Sequence, residues 1–152
     1  RFAKNIIKTL YSTVNGKTIS ILGWAFKKNT NDTREPAAIY VADALVEEGA
    51  EVNVFDPMVN EKKIRQDLTT LWKSRNESLS AIKAKLTRCE VHQTPTEALA
   101  KSFAVAILTE WDEFATYDWE VIAKNMVKPA KVFDGRNVMI HNKKINQYFL
   151  GK

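Results

Sequence analysis

Six consecutive apolar residues, Phe103-Ala104-Val105-Ala106-Ile107-Leu108, make the most hydrophobic run of the chain. A strand this uniformly apolar must be covered on both faces, which places it in the middle of a parallel sheet. Parallel neighbours can be joined only by crossovers, so helices have to alternate with strands along the rest of the sequence. They do. Short runs at Thr18–Leu22, Val52–Phe55, Cys89–His92 and Lys131–Phe133 read as strands. Apolar residues at helical spacing mark Arg1–Val14, Ala38–Val46, one or two helices over Asn60–Leu86 broken at Ser74-Arg75-Asn76, and Asp118–Met126. Thr94-Pro95-Thr96-Glu97 is a capping box with proline at the first helical position, which predicts a short helix through Lys101. The tail His141–Lys152, carrying Ile145, Tyr148, Phe149 and Leu150, reads as a last helix. The pattern predicts an α/β fold: a doubly wound, mostly parallel sheet with helices on both faces, preceded by an N-terminal helix.

The stretch Lys17–Pro36, KTISILGWAFKKNTNDTREP, places a candidate site on that sheet. Its strand stops at Gly23, and Pro36 suits the first position of the next helix, with the polar residues before it suited to a cap. The loop between carries Lys27, Lys28 and Arg34. Ligands of open parallel sheets sit outside the carboxyl ends of the strands, and a helix N-terminus there attracts anions. Three cations at that edge point to a phosphate-bearing ligand. Gly23 is the loop's only glycine, so neither G-x-G-x-x-G nor a Walker motif is present, and side chains must do the binding. The alternative is that the three cations solvate the loop and pair with Asp32 and Glu35. Asp134-Gly135-Arg136-Asn137 ends a later strand and puts Arg136 at the same edge as Lys27.

At 152 residues, 45% hydrophobic and 27% charged, the chain suits one soluble globular domain with a proper core. No apolar run is long enough to span a bilayer, and the N-terminus lacks a signal-peptide layout. Cys89 is the only cysteine, which fits a reducing, cytoplasmic compartment and a buried strand residue. His92 and His141 lie too far apart, and without neighbouring ligands, to suggest a metal. Asp56, after the second strand, has two readings: a ribose-binding carboxylate, or a turn residue before Pro57. Trp111 reads as a packing lid. Of the net charge of +5, all resides between Asn60 and Arg88, where eight cations face three anions. That block reads as a solvated helical excursion, and the competing reading is an interaction or RNA-binding module using residues 62–88. With Trp72 its one aromatic, it is poorly equipped to stack on bases, so nucleic acid is not the expected partner.

The residues ILGWAFKKNTNDTREPAAIYVADALVEEGAEVNVFDP, then LTEWDEF, then VFDGRN, resemble the UDP-binding domain of the UDP-glucose/GDP-mannose dehydrogenases, in wording closest to eukaryotic members acting on UDP-glucose. The resemblance runs through nearly the whole chain in order; it departs at Asn60–Arg88 and after Arg136, where a final sheet strand is expected to be absent or displaced. It implies a Rossmann-like sheet, with residues 15–152 as a UDP-sugar-binding domain and residues 1–14 as the remnant of a linker helix. By motif position, Phe26, Lys27 and Arg136 would contact UDP-glucose, and Arg34 would reach the NAD phosphates. The family's NAD-binding domain and catalytic cysteine have no counterpart here, so the chain alone is expected to be inactive. The resemblance also implies a homo-oligomeric, cytoplasmic enzyme, of which this domain, or that of another nucleotide-sugar dehydrogenase, is one part.

Overall fold

The structure, a computed structural model, describes residues 2–9, 14–32, 37–136, 138 and 145–149. The strands are β1 (Thr18–Leu22), β2 (Glu51–Phe55), β3 (Cys89–Val91), β4 (Ala104–Ile107), β5 (Ala130–Asp134) and β6 (Ile145–Phe149). They form one sheet in the order β3-β2-β1-β4-β5-β6, and every pairing is parallel. This is a doubly wound, Rossmann-like sheet. The chain builds outward from β1 to β3, then returns to build from β4 to β6. The strand order therefore reverses between β1 and β4, and their carboxyl ends flank a crevice.

The apolar run behaves as its composition demands: β4 is buried at every position, as is β5, and β1 is buried at all but its first residue. Helices α1 (Phe2–Thr9) and α2 (Ala37–Glu47) pack together, with Ala3 and Ile6 of α1 buried. Helix α3 (Glu61–Ser74) starts at Asn60, whose side chain accepts from the Lys63 N–H at 2.9 Å, and buries Ile64, Leu68 and Trp72 along one stripe. It stops where expected, with Asn76 at φ 59°. Helix α4 (Leu79–Leu86) follows, capped by Ser78.

Helix α5 (Pro95–Leu99) is capped by Thr94, yet it ends two residues short of Lys101. The buried carbonyl of Ala98 is taken by the sheet instead, accepting from the hydroxyl of Ser20 in β1 at 2.5 Å and from the amide of Asn53 in β2 at 3.4 Å. Those bonds need a helix that terminates there. A short helix not foreseen from the sequence, α6 (Asp112–Thr116), follows β4, and α7 (Trp119–Asn125) is capped by Asp118 as expected.

The tail corrects the sequence reading. Residues 145–149 form β6, paired with β5 from Ala130↔Ile145 to Asp134↔Phe149, not a helix, and the last strand is neither absent nor displaced. Ile145 is buried, Tyr148 stacks on Phe133 with ring centroids 5.0 Å apart, and the Gln147 amide donates to Asp134 and to the Val138 carbonyl. An uncovered β5 would present an open, fully buried-type edge, and pairing removes it. The remainder of the expected tail helix, and the cap expected at Thr33–Pro36, lie outside the described residues.

Candidate functional site

The chain leaves β1 at Gly23, which has φ +98° and no room for a side chain: a Cβ would sit 2.5 Å from Thr109. That close approach brings the exits of β1 and β4 together, and the Thr109 hydroxyl donates to the Ala25 carbonyl at 2.7 Å. Asp56, at the end of β2, completes the scaffold. Its Oδ2 accepts from the backbone N–H groups of Trp24 (2.7 Å) and Ala25 (3.0 Å) and from the Trp111 indole (3.1 Å). Its Oδ1 accepts from the N–H groups of Met58 and Val59. The turn reading of Asp56 holds, and the ribose-binding reading does not, because both oxygens of this buried carboxylate are engaged by the protein. Trp111 is buried against the same scaffold, as a packing residue.

Upon this base sit the three elements of the site. Phe26 is 39% exposed, and its N–H donates to the Asp32 carbonyl at 2.6 Å. Lys27 is exposed and makes no hydrogen bond or ion pair among the described residues. Lys28 is held twice: its ammonium pairs with Asp112 at 3.0 Å, and its N–H donates to Glu110 Oε1 at 3.2 Å.

Arg136 arrives from the far side of the crevice. Asp134 accepts from its N–H at 2.9 Å and sets the turn after β5. The guanidinium then crosses beneath the β1 loop, donating from Nε to the Leu108 carbonyl at 2.9 Å and from a terminal nitrogen to the Phe26 carbonyl at 2.8 Å. The other terminal nitrogen is 3.4 Å from Glu110 Oε2. Two of these partners are neutral carbonyls, so the arginine keeps its charge while fixing the loop, and it retains N–H donors for a ligand. The structure thus brings Phe26, Lys27 and Arg136 to one edge. Arg34 lies outside the described residues. Missed from the sequence are the holding role of Glu110 and the bonds by which Asp56 reaches beyond its own turn to Trp24, Ala25 and Trp111. A carboxylate at the end of β4, facing a cationic loop, was the available signal for Glu110.

The basic block is organised differently. Arg75 pairs with buried Asp43 at 2.7 Å, Lys85 with Glu47 and with Glu77, Lys63 with Asp67, and Arg65 with Glu61. Burial works against the charge on Lys85, but hydrogen bonds to Glu47 and Glu77 leave its pKa above the ordinary value. Arg88 donates to the Val46 carbonyl. Only Lys62, Lys73 and Lys83 of the block are exposed without a partner among the described residues. Cys89 is 1% exposed, and burial pushes its thiol from 9.0 up to about 12, which removes it as a nucleophile at neutral pH. His92 Nε2 is buried without a partner, 4.0 Å from Glu90, and no group of three metal-binding side chains occurs among the described residues. No helix among those residues is long and apolar enough to cross a membrane.

Residues 20–141 match the family described as "UDP-glucose/GDP-mannose dehydrogenase family, UDP binding domain". The chain is 45% identical over 143 residues to the UDP-glucose 6-dehydrogenase of Drosophila melanogaster, covering 94% of this chain and 29% of that protein. It is 44% identical over 144 residues to UDP-glucose 6-dehydrogenase 1 of Arabidopsis thaliana, covering 91% of this chain and 30% of the relative. It therefore spans less than a third of the length of these relatives. Among solved structures, a UDP-glucose dehydrogenase from Pyrobaculum islandicum superposes with a TM-score of 0.68 at 26% identity, over 98% of this chain and 28% of that one. A UDP-D-ManNAc dehydrogenase from Pyrococcus horikoshii shares the fold, with a TM-score of 0.66 at 21% identity over 96% of this chain and 29% of that one.

Proposed function

Because the chain belongs to the UDP-glucose/GDP-mannose dehydrogenase family and corresponds to its UDP binding domain, we propose that it holds the UDP portion of UDP-glucose for an NAD-dependent, homo-oligomeric cytoplasmic dehydrogenase. In this reading residues 15–152 are the binding domain, and the helix within residues 1–14 connects it to the rest of the enzyme. Lys27 and Arg136 engage the diphosphate, and the exposed ring of Phe26 offers an apolar wall to the base or the sugar. The observation that carries the reading is Lys27. It is a cation without a protein partner among the described residues, set at the strand-order reversal with Arg136 across from it. A diphosphate is the ligand whose charge fits two such cations.

NAD does not fit the β1 turn of this sheet. The turn has a single glycine, closed over by Thr109, and the acid at the end of β2 is fully engaged within the protein. The dinucleotide therefore belongs mainly to another part of the enzyme, with Arg34 reaching its phosphates from this one. Oxidation of the sugar needs that other part and its cysteine, since Cys89 is buried and protonated. Calorimetric titration with UDP, UDP-glucose, GDP and a short single-stranded RNA tests the assignment. UDP is expected to bind with a shallow salt dependence, and Lys27→Ala or Arg136→Ala to weaken it by about 1.5–3 kcal/mol. Unchanged UDP affinity in both variants would refute the site.

A further inference from the structure

The neighbours of Lys27 are pinned on both sides while its own side chain is left alone. On one side the Phe26 carbonyl accepts from Arg136 at 2.8 Å. On the other, the Lys28 N–H donates to Glu110 at 3.2 Å and the Lys28 ammonium is tied to Asp112. Among the described residues, Glu110 is the side chain that touches both halves of this clamp, since its second oxygen lies 3.4 Å from Arg136. It comes from the end of β4, on the other side of the strand-order reversal from the loop that it holds.

We propose that Glu110 is a positioning residue for the nucleotide site, fixing the backbone after Lys27 so that its ammonium and the Arg136 guanidinium are presented to the same diphosphate; this rests on the binding reading given above. The physical need is clear. A lysine ammonium on a four-carbon stem carries much rotamer freedom, and an unanchored backbone adds more that a ligand would have to freeze. A carboxylate at an anion site otherwise works against binding by charge repulsion. Its presence is accounted for by reach: a glutamate spans from β4 to the Lys28 N–H, where a shorter side chain would fall short.

Side-chain length and charge at this position can be separated. Glu110→Gln keeps the length and an acceptor for the Lys28 N–H but removes the charge. Glu110→Asp keeps the charge but loses the reach, and Glu110→Ala loses both. UDP titrations should show Glu110→Asp and Glu110→Ala weakened about fivefold, the value of one lost hydrogen bond, while Glu110→Gln restores binding to within about twofold of the parent. The loss should vanish in a Lys27→Ala background, because Glu110 acts through Lys27. Amide exchange at Lys28 should quicken in the Asp and Ala variants and stay slow in Gln.

If all Glu110 variants bind UDP as the parent does, or more tightly, while Lys27→Ala is weakened, the proposal is overturned and the nucleotide site stands. The same holds if the Ala variant loses equally in the Lys27→Ala background, which would mark a general effect on the fold. If Lys27→Ala itself binds UDP normally, the proposal is overturned, and the site reading fails with it where Arg136→Ala is equally unaffected.

Discussion

Lys85 and Lys27 both sit in lysine-rich stretches, yet Lys85 lies between Glu47 and Glu77 while Lys27 has no partner among the described residues. The two regions spend charge in opposite ways. Within residues 62–88 the cations meet carboxylates: Arg75 meets Asp43, Lys63 meets Asp67 and Arg65 meets Glu61. The block's cations without a carboxylate are thereby reduced to Lys62, Lys73, Lys83 and Arg88, the last bonded to the Val46 carbonyl, and Lys62 and Lys73 stand about 16 Å apart along α3. That exceeds the screening length of about 8 Å at physiological salt, so no concentrated field forms. At the carboxyl edge Arg136 donates to two neutral carbonyls and lies 3.4 Å from Glu110, so its charge is only partly offset. The lesson is that a count of basic residues locates charge, whereas the partners of those residues decide whether a ligand can use it.

The contrast can be broken, first, at Asp43. This buried carboxylate accepts from the Trp72 indole at 2.8 Å and from Arg75 at 2.7 Å. Asp43→Ala strands both donors and is expected to lower unfolding free energy by about 3 kcal/mol in urea, with UDP affinity unchanged. A parallel loss of UDP binding would show that the two regions are not independent. A smaller effect sharpens the same point at Cys89. Burial raises its thiol from 9.0 to about 12, although Arg65 stands near enough to lower it. A folded pKa above the unfolded one stabilises below pH 9, and that stability is lost as pH climbs from about 9 to about 12. Unfolding free energy should decline over that window, with a shallower slope in Cys89→Ala, and thiol labelling at pH 8 should require unfolding. The smallest effect belongs to the triple Lys62→Gln, Lys73→Gln, Lys83→Gln variant. Its stability should shift by no more than about 0.5 kcal/mol, with UDP affinity unaltered. Strong RNA binding by the parent that this variant abolishes would restore the nucleic-acid reading of the block.

Much of the architecture was legible because local signals agreed. The apolar run 103–108 required a covered parallel strand, and the caps at Thr94 and Asp118 were formed as written. The tail misled for a physical reason. Ile145, Tyr148 and Phe149 fit a helical stripe as well as a strand, and what decides between them is an open β5 edge that no local window contains. The extent of α5 was likewise set from outside, by Ser20 and Asn53 reaching for the Ala98 carbonyl. At the candidate site, Lys27 and Arg136 were legible as cations at readable strand ends, whereas Phe26 entered only through the family resemblance. Glu110 was not assigned its holding role, nor Asp56 its bonds beyond its own turn, because a carboxylate's duty depends on which donors the fold turns toward it.

The five donors gathered on Asp56 come from the exits of β1, β2 and β4. Anyone wishing to redesign the specificity of this edge inherits that arrangement. Exchanging one loop for a foreign one would leave the other two hanging on a carboxylate whose partners had changed, so whole-loop grafts should fail where single side-chain exchanges succeed. The tractable positions are Phe26 and Lys27, which point outward from a base that does not have to move.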